Sequence, residues 1–431
     1  MVIGEQALDE YIIISDTGSR NEKISLMCLF TFIYFSRYSL LSFARSFSVS
    51  TALVGGLTLL LFAVSLILYT AGGLDHISFD GIVLIACAWL FFAVTLRLHP
   101  EYQARYADVL HEGRFGAKAV FTYGAGIYTY YLVRLFRQDG RKLYRVFRVI
   151  AYVILLFDIW SMFFNRTEEY KMGFGYQMEM AAILFLCMYF YEDRNRWKLI
   201  LSLFCILAGV LYGSRACIIG YAVFVVLYFI WDTEFDARQF YVMALAILAI
   251  LVSTSQPVMQ MIYYFFSSLG LHSRTLYYVA GGDILAVDTA RQDKIWPVLW
   301  ENLKGLPFFK MLGAYGDRYL LQSKWPYAHN FVLEILLTFG KCLGGLFLIW
   351  MLVQFVKVIL YHKDENGLLT IAFGSFALCR LMFSSSFWQE PYFWAFLAML
   401  VNCSLQRRRY GRSRRNALPD EDEIRVPKEP D

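Results

Sequence analysis

The segment from Ala328 to Gly340 holds the side chains best suited to chemistry. His329 and Asn330 stand directly before an apolar run, and Glu334 lies four residues after Asn330. A helix that begins there would present free N–H groups to an anionic ligand, and histidine can accept a proton near neutral pH. The alternative is structural: Asn330 caps the helix, His329 lies in water at the interface, and Glu334 closes a buried hydrogen-bonded pair instead of binding a ligand hydroxyl.

Three arginines in polar connections could bind a phosphate group. Arg215 follows Gly-Ser in a tight connection between two apolar runs, whereas Arg274 and Arg291 lie in a long polar segment. A guanidinium binds phosphate oxygens through parallel hydrogen bonds. The alternatives are a snorkelling side chain at a helix end for Arg215 and solvated surface charges for Arg274 and Arg291.

Charged residues also interrupt the apolar runs themselves, namely Arg37, Asp158, Glu179 and Arg380. A charge in lipid is costly, so we expect these side chains to face the interior of a helix bundle or a wet cavity. Because two or three of them could pair with one another, we rank them below the residues of the polar connections as candidates for function.

The elements that position all these residues have to be membrane helices. Of the 431 residues, 58% are apolar and 17% are charged, whereas about a quarter of a soluble domain is charged. A membrane-spanning helix needs about 20 mostly apolar residues. We therefore predict an all-α, polytopic membrane protein with about twelve transmembrane helices. The predicted spans are 24–43, 51–71, 79–98, 117–136, 144–164, 173–191, 197–213, 216–231, 239–255, 341–361, 367–385 and 389–404.

The chain divides into one membrane domain and two terminal segments. Residues 1–23 contain five acidic residues and lack the basic start and short apolar stretch of a cleavable signal. Residues 24–404 form the transmembrane domain. Residues 405–431 form a basic and then acidic tail, which we expect to be disordered, with its basic part near anionic lipid. The net charge of +5 does not suggest a nucleic-acid partner.

The basic connections predict the orientation, because lysine and arginine collect in short loops on the cytoplasmic side. The connection 134–148 carries six basic residues. If it is cytoplasmic, the basic connection 194–198 and the basic stretch 407–415 are also cytoplasmic. The same alternation places both termini in the cytoplasm and residues 256–328 on the outer face.

The outer segment 256–328 is predicted to hold an amphipathic helix at the membrane surface. Ile295, Leu299 and Leu303 recur every fourth residue, and Gly305 provides a stop. Pro297 is expected to start or kink this helix.

Farther along the same segment, Gly313 and Gly316 in Leu-Gly-Ala-Tyr-Gly indicate a turn where the backbone can approach a ligand.

The sequence contains no motif for a nucleotide or a metal. It has no phosphate-binding loop, no Gly-x-Gly-x-x-Gly, no serine elbow and no Cys/His metal spacing. All eight cysteines fall inside or at the edge of apolar runs, so we expect buried thiols instead of disulfides. An ATP-driven transporter is therefore disfavoured, and no cofactor is expected.

Taken in order along the chain, these motifs resemble the O-antigen polymerase and ligase superfamily. Gly-Ser-Arg215 lies between two spans, Ala-Arg291-x-x-x-Ile-Trp lies in the long loop, and Leu-Gly-Ala-Tyr-Gly and Ala-His329-Asn-Phe-Val-Leu-Glu follow. The similar region runs from about residue 197 to 345. The chain departs from the family at Thr289-Ala290, where a small residue and a glycine usually precede the loop arginine, and in its spread-out glycine turn.

The resemblance implies glycosyl transfer on the outer face of the bacterial cytoplasmic membrane. The substrates would be an undecaprenyl-diphosphate-linked oligosaccharide donor and acceptor, with membrane lipids, a chain-length regulator and a flippase as further partners. Arg215 and Arg291 would neutralise the departing diphosphate, and His329 would accept the proton of the acceptor hydroxyl. Substrate binding would fall to Asn330, Glu334, Arg274, Gly313 and Gly316, with Arg274 as the substitute for Arg291.

Three other functions stay open at the level of sequence. A ligase would use the same donor but move the finished glycan onto a lipid or protein acceptor. A lipid-linked glycan flippase would need a charged central cavity and little chemistry in the outer loop. The third is a structural or receptor role. The sugars and their linkage are not encoded in these motifs.

Overall fold

The apolar runs of the chain form helices, because a segment in lipid must satisfy its backbone N–H and C=O groups internally. The structure is a computed structural model. It describes residues 26–40, 78–102, 126–137, 139–164, 172–212, 216–232, 255–268, 290–314, 316–321 and 327–417, together with isolated positions between 42 and 67 and residue 244. Within this part of the chain every regular element is a helix.

The α-helices are numbered here in chain order. They are α1 (Leu26–Leu40), α2 (Phe79–Leu98), α3 (Ile127–Arg134), α4 (Gly140–Phe164), α5 (Met172–Met188), α6 (Arg196–Tyr212), α7 (Ala216–Trp231), α8 (Gln256–Ser268), α9 (Trp296–Gly305), α10 (Gly316–Leu320), α11 (Phe331–Tyr361), α12 (Glu365–Phe383) and α13 (Pro391–Ala417). Two π-helices, Tyr189–Asp193 and Ala290–Ile295, continue α5 and precede α9.

Four helices among the described residues are long and apolar enough to cross a membrane: Phe79–Leu98, Gly173–Asp193, Phe331–Tyr361 and Glu365–Phe383. Only 28% of the most apolar stretch is buried in Phe79–Leu98 and in Phe331–Tyr361. The buried share is 72% in Gly173–Asp193 and in Glu365–Phe383. Apolar helices that expose most of their length are suited to contact lipid, whereas the other two form the core of the bundle. The protein is thus all-helical with candidate membrane-spanning helices.

The total of twelve spans and the outer loop stay predictions. The predicted spans 79–98 and 216–231 coincide with α2 and α7. The predicted spans 51–71 and 239–255 fall almost wholly outside the described residues. At the C-terminus α13 continues to Ala417, so residues 405–417 of the expected tail are helical, and residues 418–431 also lie outside the described part.

The bundle is centred on α12, which packs against α7, α11 and α13. On its other side α5 packs between α4 and α6. Aromatic side chains fill the contacts between these helices, because Phe147, Phe373 and Phe376 are buried and Phe373 meets Phe147 edge to face at 4.8 Å. All eight cysteines are free thiols, but the predicted burial is confirmed for only four of them: Cys187, Cys205, Cys217 and Cys403.

The helix α11 is broken at Gly340, whose φ of 76° lies in the left-handed region. The break frees backbone groups that the chain segment before α10 then satisfies. The N–H groups of Leu312 and Gly313 donate to the carbonyls of Leu337 (3.0 Å) and Thr338 (3.1 Å). A Cβ on Gly340 would lie 2.6 Å from the carbonyl oxygen of Lys310. The predicted span 341–361 is the part of α11 that follows this break.

The segment before α11 folds back onto its first turns. Ile295, Leu299 and Leu303 are buried and pack with Leu333 and Leu337 of α11. The predicted period of four residues is therefore confirmed, and so is the end of the helix at Gly305. A position at the membrane surface is not tested by these contacts.

Pro297 also behaves as the sequence predicts, because it stands in the first turn of α9, directly after the π-helix.

The two ends of the bundle differ in charge. At one end, ion pairs join Arg134 to Asp80 (2.6 Å) and Lys198 to Glu192 (2.7 Å), among several others. This "charged end" is formed by the start of α2, α4, α6 and α12 and by the end of α3, α5, α7 and α11. The serine-rich connection between α12 and α13 lies at the opposite end.

Candidate functional site

The connection between α12 and α13 is a short loop with the sequence Ser384-Ser-Ser-Phe-Trp-Gln-Glu390, called here the serine loop. Helices from several parts of the chain hold it. The Ser384 hydroxyl donates to the phenolic oxygen of Tyr176 on α5. The indole N–H of Trp394 donates to the carbonyl of Phe387 (2.7 Å). These bonds fix the loop in one conformation, which is a requirement for a preorganised site.

Glu334 attaches the serine loop to the first turn of α11. Its carboxylate is 1% exposed and accepts a hydrogen bond from the Ser386 hydroxyl and another, at 3.3 Å, from the Phe387 backbone N–H. Because both oxygens bind the loop, Glu334 closes a buried hydrogen-bonded pair. This is the structural alternative for Glu334, and it makes that residue a positioning group.

His329 lies at the entrance to α11 in a constrained conformation. Its φ is 52°, in the left-handed region that non-glycine residues rarely adopt. Its Nδ1 lies 2.6 Å from the carbonyl oxygen of Phe383. A carbonyl can only accept, so Nδ1 carries the hydrogen and Nε2 is the basic nitrogen of the neutral ring. The residue is 9% exposed, so the alternative of a histidine in water at the interface is wrong.

Asn330 caps α11, as the structural alternative for this residue predicts. Its side-chain oxygen accepts hydrogen bonds from the backbone N–H groups of Val332 and Leu333, each at 3.1 Å. These two N–H groups are therefore not available to an anion, and the cap sets the direction in which the chain enters the helix.

A second pair of charged residues, which the sequence analysis missed, lies near Glu334. Asp317 and Arg318 in α10 are 1% and 5% exposed. Burial raises the pKa of the Asp317 carboxyl above its ordinary value, and the charge of Arg318 opposes this only in part. Both residues interact electrostatically with Glu334. The available signal in the sequence was an Asp-Arg pair directly after the glycine turn.

On the α5 side of the serine loop lies a cavity of about 510 Å³, called here the arginine cavity. It is lined by residues from α1, α4, α5, α12, α13 and the serine loop, all at the end of the bundle opposite the charged end. Its polar lining residues are Tyr34, Arg37, Tyr38, Ser42, Asp158, Ser161, Tyr176, Gln177, Arg380, Ser385, Gln389, Glu390 and Tyr392. The prediction that charges within the apolar runs face a cavity is confirmed for Arg37, Asp158 and Arg380.

The two arginines of the cavity have different surroundings. Arg380 forms an ion pair with Glu390, with Nε 3.1 Å from Oε2, and lies 4.8 Å from the ring centroid of Tyr176. Arg37 donates to the backbone carbonyl of Tyr34 (3.2 Å) and lies 4.2 Å from the centroid of that ring. No carboxylate of the described residues lies within 4.0 Å of Arg37. The fourth charge of the apolar runs, Glu179, does not line the cavity but is buried in the bundle interior against Gly220, as the sequence also allows.

A groove of about 640 Å³ lies between α9 and the start of α11. Its lining residues include Trp296, Pro297, Trp300, Glu301, Asn330, Leu333, Leu336 and Met382. His329 lines neither concave site, but it is connected to residues of both. Its neighbour in sequence, Asn330, lines the groove. Its hydrogen-bond partner, Phe383, directly follows Met382, which lines the groove, and stands two residues before Ser385, which lines the cavity.

The other predicted site residues are placed as follows. Arg215 and Arg274 lie outside the described residues. The backbone of Arg291 is part of the π-helix before α9, and its side chain is not among those described. The structure therefore brings together His329, Asn330 and Glu334 and does not test the three arginines.

Gly313 and Gly316 form the predicted turn, with the N–H of Gly316 donating to the carbonyl of Gly313 (3.3 Å). The φ of Gly313 is 81°, and a Cβ there would lie 2.6 Å from the Thr95 side chain on α2. The Thr95 hydroxyl oxygen accepts a hydrogen bond from the Ala314 N–H (3.2 Å). In this structure the glycine turn therefore packs on α2.

Among the described residues no group of three or more His, Cys, Asp or Glu side chains could hold a metal ion. Comparison of the chain with models of known protein families, with curated proteins and with solved structures found no match.

Proposed function

We propose that this protein is a membrane glycosyltransferase that polymerises undecaprenyl-diphosphate-linked oligosaccharide repeat units on the outer face of the cytoplasmic membrane. The observation that supports the proposal is the constrained placement of His329, whose Nδ1 meets the Phe383 carbonyl where residues of the groove (Asn330, Met382) and of the arginine cavity (Ser385) follow closely in sequence. A transferase that joins two glycans needs a base between two binding regions. The order of motifs that resembles the O-antigen polymerases supplies the chemical class.

In the proposed reaction an acceptor hydroxyl attacks the anomeric carbon of the donor sugar. The Nε2 of His329 accepts the hydroxyl proton as the new C–O bond forms. The bond between the anomeric carbon and the diphosphate oxygen breaks, and the undecaprenyl diphosphate leaves with the electron pair. The positive charges of Arg215 and Arg291 stabilise that leaving group. No metal or nucleotide takes part, because the donor carries its own leaving group.

In this scheme the remaining residues act through His329 and not on the sugars. Asn330 sets the direction of the chain at His329 by capping α11. Glu334 holds the serine loop, which follows directly after the Phe383 carbonyl that orients the imidazole. Asn330 and Glu334 are therefore positioning residues, a narrower role than the substrate binding that the resemblance implies.

The test is His329→Asn in cells that make the glycan. Asparagine tolerates the left-handed backbone better than most residues, and its amide can donate to the Phe383 carbonyl, so the variant should fold. Turnover should fall roughly 100-fold or more, and the size ladder of surface glycan should collapse to single repeat units. The matched control is His99→Asn, at a histidine whose Nδ1 meets Glu101 at 3.0 Å; its ladder should be unchanged.

Two other results would overturn the proposal. Long chains stranded on the lipid carrier would identify the protein as a ligase. A normal ladder from His329→Asn, with the variant present in the membrane at the usual level, would exclude His329 as the base.

A further inference from the structure

We propose that the arginine cavity binds an acidic sugar of the glycan, with the carboxylate of that sugar on Arg37. The inference rests on the proposed function for the identity of the ligand as a glycan. It goes further because it assigns a charge and a place to one sugar residue, and because none of the motifs in the outer loop contributes to this cavity.

The lining of the cavity has the chemistry of a carbohydrate site. The rings of Tyr34, Tyr38, Tyr176 and Tyr392 line it together with hydroxyl and amide side chains. The C–H groups of a pyranose ring carry small positive charges and pack well on the negative face of an aromatic ring. Side chains such as Gln177 and Gln389 can pair with sugar hydroxyls. The cavity volume of about 510 Å³ falls within the range of roughly 300–1,000 Å³ for ligand pockets.

The lining holds two arginines and two carboxylates, so the ligand group is inferred from which of these charges are paired and not from their sum. Arg380 is already paired with Glu390. Asp158 meets the amide of Gln177, whose nitrogen lies 2.6 Å from Asp158 Oδ2 when the amide is oriented to donate. Arg37 is therefore the guanidinium of this cavity that has no carboxylate partner among the described residues. A cation inside an apolar bundle is costly when no carboxylate pairs with it, so the presence of Arg37 points to an anionic ligand.

A carboxylate fits Arg37 better than a diphosphate does. A guanidinium binds a carboxylate through a planar pair of hydrogen bonds and neutralises it one to one. A diphosphate carries at least two negative charges, and the second arginine of the cavity is engaged by Glu390. The rings of Tyr34 and Tyr38 lie 4.2 and 4.9 Å from the guanidinium, so aromatic surface on which a sugar ring can pack stands next to the arginine.

The experiment measures binding of two sugars that differ in this one group. The full-length protein in lipid nanodiscs is titrated with methyl β-D-glucuronide and with methyl β-D-glucoside, and binding is followed by saturation-transfer NMR. The wild-type protein should bind the glucuronide about tenfold or more tightly than the glucoside, the size of one charged hydrogen-bonded contact. Arg37→Gln should remove this preference, and Arg37→Lys should retain part of it.

Arg37→Gln should fold, because removing a cation without a carboxylate partner from an apolar bundle does not destabilise it. The matched control is Arg97→Gln, an exposed arginine at the same end of the bundle, which should bind both sugars like the wild type. Equal affinity for the two sugars, or a glucuronide preference that survives in Arg37→Gln, would overturn the inference. The inference would also be overturned if pyrophosphate competes with the glucuronide for the protein and displaces it at a concentration lower than that at which the glucuronide itself binds.

The two proposals fail in different ways. If the glucuronide preference depends on Arg37 but the His329→Asn ladder is normal, the cavity is an acidic-sugar site and the polymerase mechanism is wrong. If the ladder collapses but the glucuronide preference is absent, the polymerase stands and the repeat unit does not place an acidic sugar on Arg37.

Discussion

At the start of α11 two adjacent residues have different tasks. Asn330 satisfies two N–H groups of the first helical turn, a contribution of about 1 kcal/mol to stability. His329 is held with a φ of 52°, a conformation that costs on the order of 1–3 kcal/mol. The cap and the hydrogen bond to Phe383 offset that cost. Strain of this kind is most often retained where a side chain has to point at a ligand.

Asp317 provides a prediction of pH dependence. Because burial raises its pKa above the ordinary carboxyl value of 3.8, the folded state holds this proton more tightly than the unfolded state does. Its stabilising contribution is complete below that ordinary value and is lost as the pH rises through the raised, folded-state pKa. At pH 8 Asp317→Asn should therefore have a free energy of unfolding ~1 kcal/mol higher than the wild type and should unfold at a higher temperature, and the difference should shrink at pH 4.

The measurement is thermal unfolding in detergent at both pH values. The control is Asp139→Asn, a partly exposed residue at the charged end of the bundle. A difference that grows toward low pH would show that Asp317 is stabilised as a carboxylate, against the effect of burial.

Among the elements, α11 is the one that connects the groove, His329 and the bundle. Its break at Gly340 allows residues 331–339 to follow a different direction from residues 341–361, and the segment 308–313 pairs with the freed backbone groups. The same first turns carry Glu334 on one side and the apolar contact with α9 on the other. The geometry around His329 therefore depends on this one glycine.

Gly340→Ala should destabilise the protein by roughly 2–4 kcal/mol. Alanine disfavours the positive φ, and its Cβ would lie 2.6 Å from the Lys310 carbonyl oxygen. The matched control is Gly345→Ala on the same helix, where a Cβ would meet nothing within 4 Å; it should be neutral or stabilising by up to ~1 kcal/mol. Thermal unfolding of both variants in detergent tests this, and equal stability would contradict the role given to the break.

Across the whole molecule the charged end and the arginine cavity lie at opposite ends of the helices. The charged end contains the arginines and lysines that predict a cytoplasmic location from the sequence. If that orientation is right, the serine loop, α9 and the cavity face outward, where lipid-linked glycans would be joined. The orientation in the membrane is a prediction that the bundle itself does not test.

Single-cysteine labelling in spheroplasts measures this orientation. Glu301 on α9 and Arg141 at the charged end have side chains that are 70% and 79% exposed, so cysteine at either position should react fully once reached. Glu301→Cys should be labelled by a membrane-impermeant maleimide in intact spheroplasts, and Arg141→Cys only after permeabilisation. Both cysteines are introduced into a variant whose eight native cysteines are replaced by alanine; this cysteine-free variant is the control, and the reverse pattern would place the cavity in the cytoplasm.

The sequence determined the features that depend on neighbouring residues. Composition and apolar runs predict an all-helical membrane protein. Asn330 as a cap, Pro297 at the start of α9 and the end of that helix at Gly305 each depend on residues within one helical turn. The turn between Gly313 and Gly316 is equally local, because positive φ favours glycine. Such features are visible in sequence since the bonds that make them span only a few residues.

Only the tertiary structure decided which distant residues meet. Glu334 binds a loop 52 residues farther along the chain, and Tyr176 binds Ser384 across 208 residues. The arginine cavity combines the ends of helices that are far apart in sequence, so residue spacing could not predict it. Spacing also could not predict that Arg380 pairs with a carboxylate whereas Arg37 pairs with none among the described residues. The buried charges at Asp317 and Arg318 were missed for the same reason: burial is set by what packs over a residue, and that is decided when the helices assemble.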